Sequence, residues 1–404
     1  LISLSNLNDD QMAHAKSGMW WENEGQRALA NNSVAYKGKP EMGTFMREWV
    51  SLYESKSGER GIFNRKSAQV QAAKNGRRDA DHDFGCNPCS EIILRPYQFC
   101  NLSEVVARAG DTEKTLATKV GLATILGTFQ STLTDFKYLR NIWKKNTEEE
   151  RLLGVSLTGI MDNELLSGNS ATLGTNISAT LELLREVAVE TNKGMAKKLG
   201  IPRSTAITCV KPSGTVSQLV DSASGIHARH NAHYIRTVRG DNKDPLTQFL
   251  TSQGIPAEAD VMKPESTTVF SFPMASPRGA VTRTILTAIE QLELWLTYQR
   301  HWCEHKPSVT ISVKESEWMD VGAWVYKHFD EVSGISFLPF SDHTYKQAPY
   351  QDCTEDEYDA MLAQMPTSVD WSLLQEFEKE DTTSGGRELA CTADACEIVD
   401  LNAA

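Results

Sequence analysis

Three of the chain's eight cysteines are concentrated in one short stretch of sequence. The stretch reads DFGCNPCSEIILRPYQFCNLSE, residues 83–104, and contains Cys86, Cys89, Glu91 and Cys100. Cys86 and Cys89 form a C-x-x-C pair, a carboxylate follows Cys89 by two residues, and a third thiol follows it by eleven. Thiols at such spacings can bind a metal or form a disulfide, and a thiol beside a carboxylate can also serve less common chemistry.

The residues alone leave three interpretations of this stretch open. A zinc site usually takes four ligands in two close pairs, whereas Cys86 and Cys89 offer one pair and Cys100 one further thiol. A thioredoxin-like dithiol lies at a helix N-terminus, which lowers the thiol pKa, but the apolar run Ile-Ile-Leu follows here instead of a helical pattern. The third interpretation is a set of buried cysteines without chemistry.

A second stretch, CVKPSGTVSQLV at residues 209–220, could hold a phosphate group. Its small residues lie where a strand-like run passes into a predicted helix, so that backbone N–H groups can approach an anion and the helix dipole favours negative charge. No Walker sequence is present, and an ordinary turn with a serine cap is the alternative. The candidate phosphate-binding residues are Pro212, Ser213, Gly214, Thr215 and Ser217.

A last pair of cysteines, Cys391 and Cys396, stands in the sequence CTADAC near the end of the chain. From about residue 381 the composition turns to Thr, Ser, Gly and Glu, which is typical of a flexible tail. Thiol–disulfide exchange needs only a thiolate and a close approach of sulfur atoms. The pair therefore suggests a redox relay that carries reducing equivalents to a buried disulfide, with metal binding or a chance pair as alternatives.

The bulk composition narrows the class of protein. A formal net charge of −12 argues against a nucleic acid polymer as the main partner, because such proteins usually present a basic surface. A hydrophobic content of 40% suits a globular core, and no apolar run approaches the roughly 20 residues that span a membrane. Sparse cysteines and the lack of an export signal predict a reducing, cytoplasmic location.

Helical and strand-like segments alternate in the second half of the sequence. Helices are predicted over 111–136, from Ser178 as N-cap to Gly200, and over 280–302, and the segment 1–82 is predicted to be mainly helical. Strands are predicted at 206–210, 267–273, 308–313 and 334–340. Strands that alternate with helices favour an α/β fold with a mainly parallel sheet.

Taken together, NPCSE with a cysteine eleven residues beyond, KPSGT downstream and C-x-x-x-x-C near the end resemble one family. They are similar to the adenosylcobalamin-dependent (class II) ribonucleotide reductases, especially the monomeric ribonucleoside-triphosphate reductase type. SGIHARHNAHYIRTVR (224–239) and FLPFSDHTYKQAPYQ (337–351) also look like segments of this family. The resemblance covers essentially the whole chain and implies a ten-stranded α/β barrel with a central finger loop.

The resemblance implies a role for each candidate residue in the reduction of ribonucleotides to 2′-deoxyribonucleotides. Ribonucleoside triphosphates are the expected substrates. Cys89 would become a thiyl radical after the cobalt–carbon bond of adenosylcobalamin breaks, and would take the 3′ hydrogen of the substrate. Glu91 would take and return the proton of the 3′ hydroxyl, and Asn87 would orient the ribose hydroxyls. Cys100 would be one of two reducing cysteines, Cys391 and Cys396 would re-reduce their disulfide with electrons from thioredoxin, and residues 212–217 would hold the substrate phosphates.

The cofactor has no lower histidine ligand motif in this sequence, because no D-x-H-x-x-G is present. The resemblance implies that it keeps its own base and contacts surfaces within 245–307 and 341–384. His227, His230 and His233 are spaced by three residues, which converges poorly on a helix, so no metal site is expected there. A thiol–disulfide oxidoreductase that uses Cys86 and Cys89, or a zinc-binding module, remains the alternative function.

One required residue of the family is missing, because no cysteine precedes Cys86 to pair with Cys100. We therefore expect the chain to be the C-terminal portion of a monomeric enzyme, inactive alone, with the nucleotide effector site in the missing N-terminal part. The expected organisation is a helical part of the barrel domain (1–82), the finger loop and following strand (83–104), the second barrel half with the phosphate loop (105–340), a helical region (341–380) and a flexible redox tail (381–404).

Overall fold

The structure is a computed structural model that describes residues 2–17, 24–168, 176–340 and 347–379. Only the backbone is described for residues 28–29 within these ranges and for 387–392 and 395–400 beyond them. The strands are β1 (Ile2–Ser5), β2 (Asn31–Tyr36), β3 (Gly61–Asn64), β4 (Gly85–Cys86), β5 (Ile93–Leu94), β6 (Asn101–Val106), β7 (Leu153–Thr158), β8 (Thr208–Cys209), β9 (His233–Asp241), β10 (Ala257–Ala259), β11 (Thr267–Ala275), β12 (Val309–Val313), β13 (Ile335–Pro339), β14 (Tyr350–Asp352), β15 (Arg387–Thr392) and β16 (Ala395–Asp400).

The α-helices of the described residues are α1 (Asp10–Ala13), α2 (Met42–Ser55), α3 (Arg65–Ala73), α4 (Glu113–Gln130), α5 (Asn141–Glu150), α6 (Glu164–Ser167), α7 (Ile177–Leu199), α8 (Val216–Leu219), α9 (Pro245–Ser252), α10 (Ala288–His301), α11 (Trp318–Lys327), α12 (Glu355–Leu362) and α13 (Leu374–Phe377). Short 3-10 helices span Gly25–Leu29, Ile160–Asp162, Glu315–Glu317 and Trp371–Leu373. No helix in these ranges is long and apolar enough to cross a membrane.

Two sheets meet edge to edge and form a row of eight strands. One has the order β1-β2-β3-β13-β12 and the other the order β6-β7-β8. Neighbours pair in parallel except β3 and β13, which meet antiparallel at Ile62 and Ile335. A parallel bridge between Val210 and Pro307 joins the end of β8 to the start of β12. The row therefore ends at β1 on one side and at β6 on the other.

This arrangement confirms a mixed α/β fold with mostly parallel pairing in the site-bearing part. The sheets of the described residues do not confirm a ten-stranded barrel. Every residue of β7 is buried, as expected for a central parallel strand that is covered on both faces. Helices α4 and α7 pack against each other, and α4 also packs on β6 and β7.

The helix boundaries follow from their capping residues. Asn176, rather than the predicted Ser178, caps α7, because its side chain accepts a hydrogen bond from the Ser178 backbone N–H at 3.0 Å. Gly200 ends this helix in the left-handed region at φ 67°, as predicted. Helix α10 begins at Ala288 instead of residue 280, since Thr287 forms a capping box with Glu290.

Two features of the secondary structure were not predicted. The segment 1–82, predicted to be mainly helical, also contains β1, β2 and β3, which supply part of the five-stranded sheet. A separate four-stranded sheet, in the order β10-β11-β9-β14, is antiparallel throughout. In that sheet, β9 and β11 pair over nine residues, a register that no local pattern of the sequence specified.

The predicted redox tail is described only in part. Residues 381–386, 393–394 and 401–404 lie outside the described residues, and so do 341–346 and 380 of the region predicted to be helical. The backbone of β15 pairs antiparallel with that of β16, and this register places Cys391 opposite Cys396. The redox function of the two residues stays a prediction.

Candidate active site

The hairpin β4–β5 presents Cys89 at its tip, between the two sheets of the row. Gly85 pairs with Leu94 and Cys86 with Ile93, so that residues 87–92 form the connecting loop. Cys89 is half-buried and lines a cavity of about 990 Å³. The other walls of this cavity come from the loop after β8, from the ends of β12 and β13 and from residues 348–350.

Local hydrogen bonds fix the shape of the tip. The side-chain oxygen of Asn87 accepts a bond from the Ile92 N–H at 3.0 Å, and its carbonyl accepts one from the Ser90 N–H at 2.9 Å. The Asn31 amide donates to the Pro88 carbonyl at 2.7 Å. Asn87 thus braces the loop and is not among the described residues that line the cavity.

A fully buried lysine, Lys306, supports the tip from below. Its ammonium donates to the Ser90 hydroxyl at 3.0 Å and lies 4.6 Å from the centre of the Phe63 ring. Burial lowers the pKa of Lys306 to about 8. Gly334 is required at this place, because a Cβ there would lie 2.3 Å from the Ser90 hydroxyl and 2.8 Å from the Lys306 ammonium.

The carboxylate of Glu91 lies behind Cys89 and is fully buried. One oxygen, Oε1, lies 3.4 Å from the Lys211 ammonium, whereas Oε2 has no hydrogen-bond partner among the described residues. The same ammonium lies 3.9 Å from the Cys89 sulfur. The structure therefore brings together the predicted pair Cys89 and Glu91 and adds Lys211, which sequence reasoning missed.

The Cys89 thiol is held in its neutral form. Burial raises its pKa, the negative charge of Glu91 raises it further, and Lys211 opposes both effects. A neutral, half-buried thiol can give up a hydrogen atom, whereas nucleophilic or metal-binding cysteines act as thiolates with lowered pKa values. This electrostatic environment does not suit a C-x-x-C dithiol catalyst.

The other cysteines of the opening stretch, Cys86 and Cys100, are partly buried. The Cys100 sulfur lies against Gly154 of β7, where a Cβ would approach it to 3.2 Å, and burial raises the thiol pKa of Cys100. Cys86 packs against the apolar cluster that includes Phe63 and Phe84. Across the part of the chain that the structure describes, no three or more metal-binding side chains are grouped together, so a zinc module gains no support.

The predicted phosphate loop borders the same cavity. Pro212, Ser213, Gly214 and Thr215 line it, but Ser217 is fully buried and its hydroxyl pairs with that of Ser224 at 2.7 Å. Ser213 donates to Glu104 at 2.8 Å, and Oε1 of that carboxylate has no partner among the described residues. Four of the five predicted residues thus face the cavity, and Glu104 is a second residue that the sequence did not indicate.

The three histidines at spacing three serve different purposes. The Thr310 N–H donates to Nε2 of His227 at 3.1 Å, which leaves Nδ1 protonated to donate to the Ser224 carbonyl at 3.0 Å. Burial lowers the pKa of His230 to about 4, and its ring stacks on Tyr350. Residue 233 begins β9. Of these three rings, those of His227 and His230 line the cavity.

Sequence comparison finds relatives over most of the chain, although no protein-family model matches it. The adenosylcobalamin-dependent ribonucleoside-triphosphate reductase of Euglena gracilis is 26% identical over 347 residues, which are 84% of this chain and 46% of that protein. The Lactobacillus leichmannii enzyme of the same name is 25% identical and matches 92% of this chain and 53% of its own length. A probable one from Dictyostelium discoideum is 29% identical over 79% of this chain and 41% of its own length.

Solved structures show the same fold. A crystal structure of a B-12 dependent (class II) ribonucleotide reductase superimposes with a TM-score of 0.74 at 23% identity, over 94% of this chain and 55% of that one. The Actinobacillus ureae class Id ribonucleotide reductase alpha subunit superimposes with a TM-score of 0.56 at 13% identity, over 84% of this chain and 70% of that one. The chain spans about half the length of the curated relatives it matches. The resemblance inferred from the sequence is thus confirmed.

Proposed function

We propose that this chain carries the substrate-reducing site of an adenosylcobalamin-dependent ribonucleotide reductase that converts ribonucleoside triphosphates to 2′-deoxyribonucleotides for DNA synthesis. The observation that carries the proposal is the half-buried thiol of Cys89, which lines a cavity of about 990 Å³ together with the loop 212–215 and lies beside the buried carboxylate of Glu91. The names of the curated relatives support triphosphates as substrates. A cytoplasmic location, where thiols remain reduced, belongs to the same proposal.

In this function the chain's own residues orient the nucleotide and move its protons. Backbone N–H groups of the loop 212–215 bind the phosphates, and the ribose lies toward Cys89, whose sulfur radical takes the 3′ hydrogen atom. Glu91 takes the proton of the 3′ hydroxyl as general base, which eases departure of the 2′ hydroxyl as water. Asn87 fixes the loop from which both groups project.

The electrons come from a pair of cysteines of which Cys100 is one. A ribonucleotide and two thiols give a deoxyribonucleotide, one disulfide and one water, so that a dithiol supplies the two electrons of each turnover. A nucleotide effector site and a monomeric state are further parts of the proposal that rest on the family resemblance.

The residues present fit adenosylcobalamin, because the half-buried Cys89 thiol, whose pKa is raised by burial and by Glu91, faces a cavity of about 990 Å³. The wall that would hold the cofactor includes Arg283 and Leu286, and also Ala348, Pro349 and Tyr350. These positions lie within the ranges 245–307 and 341–384 in which contacts are expected. When bound, the cofactor supplies the one-electron chemistry that removes a hydrogen atom from a thiol.

The row of strands supports a barrel that is completed by additional chain. The two sheets together have five and three strands, so a ten-stranded barrel needs two more strands between β1 and β6. Both β1 and β6 are edge strands in the described part of the molecule, and unpaired edges readily accept a further strand. Cys100 directly precedes β6, so a reducing cysteine on the next strand would lie close to it.

The function is tested by the cofactor dependence of nucleotide reduction. The natural gene product that contains this chain is incubated with a ribonucleoside triphosphate, thioredoxin and adenosylcobalamin, and deoxyribonucleotides are quantified by chromatography. We expect product only when the cofactor is present. Equal product without the cofactor, or disulfide exchange on small substrates without nucleotide reduction, would contradict the proposal.

The tail cysteines give a separate prediction about the reductant. In the proposed relay, Cys391 and Cys396 pass electrons from thioredoxin to the disulfide of the active site. The double change Cys391→Ser/Cys396→Ser should stop steady turnover with thioredoxin but spare turnover with a small dithiol, which can enter the cavity directly. Reaction rates with both reductants measure this, and an equal effect on both would contradict the relay.

A further inference from the structure

Lys211 occupies a fixed place between the phosphate loop and the finger tip. Its backbone N–H donates to the Ser156 hydroxyl of β7 at 2.8 Å. Its carbonyl packs against Gly225, where a Cβ would come within 2.3 Å of the oxygen. The side chain is one-third exposed and reaches away from the loop that follows it, so that its ammonium lies 3.4 Å from Glu91 and 3.9 Å from the Cys89 sulfur.

The ammonium contacts the two finger-loop groups Glu91 and Cys89. Its charge also acts through space on Cys209 of β8 and on Glu104 and Cys100, which lie on or beside β6. Glu91 is the closest of the carboxylates and is fully buried. A buried carboxylate is stable only when a nearby positive charge or hydrogen bonds compensate for its lost hydration.

We propose that Lys211 is a positioning residue that balances the charge of Glu91 and aligns it with the Cys89 thiol. Its ammonium holds Oε1 and leaves Oε2 as the free acceptor for a hydroxyl proton. The same charge favours the thiolate of Cys89 and opposes the effect of Glu91 on that thiol. This role rests on the reduction chemistry proposed above, but its electrostatic consequence at Cys89 can be measured without turnover.

The competing explanation is that Lys211 binds a substrate phosphate together with the loop 212–215. That explanation predicts a higher KM in Lys211→Met and no change at Cys89 in the absence of nucleotide. The observed direction of the side chain favours the positioning role, because the ammonium contacts the finger loop. A readout taken at Cys89 in the nucleotide-free protein therefore separates the two.

The test measures the rate at which iodoacetamide alkylates Cys89, followed by mass spectrometry of its peptide between pH 7 and 10. Only the thiolate reacts, and the charges of Glu91 and Lys211 act on this thiol. Removing one nearby positive charge in Lys211→Met should slow alkylation roughly three- to tenfold and move the pH profile upward, allowing for partial solvent screening. Lys211→Arg keeps the charge and should restore most of the rate.

A matched control is Lys56→Met, which removes another lysine of the same cavity wall. The Lys56 ammonium lies 3.8 Å from the centre of the Tyr53 ring, so its loss should leave the Cys89 profile unchanged. An unchanged profile in Lys211→Met would overturn the proposal, whatever the outcome of the reduction assay. If Lys211→Met loses the wild-type thermal transition, the pH profile of Cys89 alkylation is measured instead in Lys211→Gln, which removes the charge but keeps a hydrogen-bond donor.

Discussion

Replacing Cys89 with serine abolishes deoxyribonucleotide formation in the natural gene product that contains this chain; this is the largest effect we expect. An oxygen–hydrogen bond is much stronger than a sulfur–hydrogen bond, so the serine hydroxyl cannot replace the thiol as a hydrogen-atom donor. The cavity should be preserved, because serine is smaller than cysteine and the loop is fixed by backbone bonds of Asn87, Pro88 and Ser90. The measurement is product formation at saturating cofactor and substrate.

The matched control for this change is Cys86→Ser in the same hairpin. Cys86 packs among Phe63, Phe84 and Ile93 and is not among the described residues that line the cavity. Its substitution should lower the thermal transition modestly, as expected for a polar group placed in an apolar cluster, and leave turnover largely intact. If Cys86→Ser were as inactive as Cys89→Ser, the C-x-x-C alternative would regain support.

The second large effect is expected for Glu91→Gln, which keeps the shape of the side chain and removes its basicity. General base catalysis typically contributes about 10²- to 10⁴-fold, and we expect kcat to fall by that factor. KM should change less than kcat, because glutamine has nearly the size and shape of glutamate and preserves the packing around this buried position. Steady-state kinetics with one ribonucleoside triphosphate measure both constants.

The glutamine variant also leaves Lys211 without its closest carboxylate. Because the Lys211 side chain remains one-third exposed, solvent can stabilise its charge and the fold should survive, which a thermal melt checks. A rise in KM with unchanged kcat would show that Glu91 serves binding and not proton transfer. Glu91→Asp, which retains a carboxylate on a shorter side chain, should recover part of kcat if the general-base role is correct.

The sequence was most informative where chemistry and fold are local. Cys89 and Glu91 are two residues apart, and this spacing was sufficient to predict that they project to the same side; the hairpin loop holds both groups near one ammonium. The loop 212–215, which lines the cavity, was predicted to bind phosphate for the same reason, because small residues between a strand and a helix can expose backbone N–H groups to an anion. Ser217 was the exception, since its burial depends on its contact with Ser224.

The sequence was uninformative where a residue acts across a long separation. Lys306 lies 216 residues from its partner Ser90, and Lys211 lies 120 residues from Glu91. No periodicity or short motif encodes such contacts, since they arise from strand order and from the bridge between β8 and β12. The strands of the first 82 residues were missed for a similar reason, as each is short and gains its stability from neighbours in the sheet.

The contacts that fix the finger tip also determine when the site can exist during folding. Asn31 reaches Pro88 across 57 residues, Lys211 reaches Cys89 across 122, and Lys306 reaches Ser90 across 216. Closing loops of this length costs entropy before the contacts repay it, and such contacts therefore form late. A nascent or partly folded chain consequently carries an ordinary flexible cysteine, and the half-buried thiol of the proposed site forms only after the sheets have assembled around it.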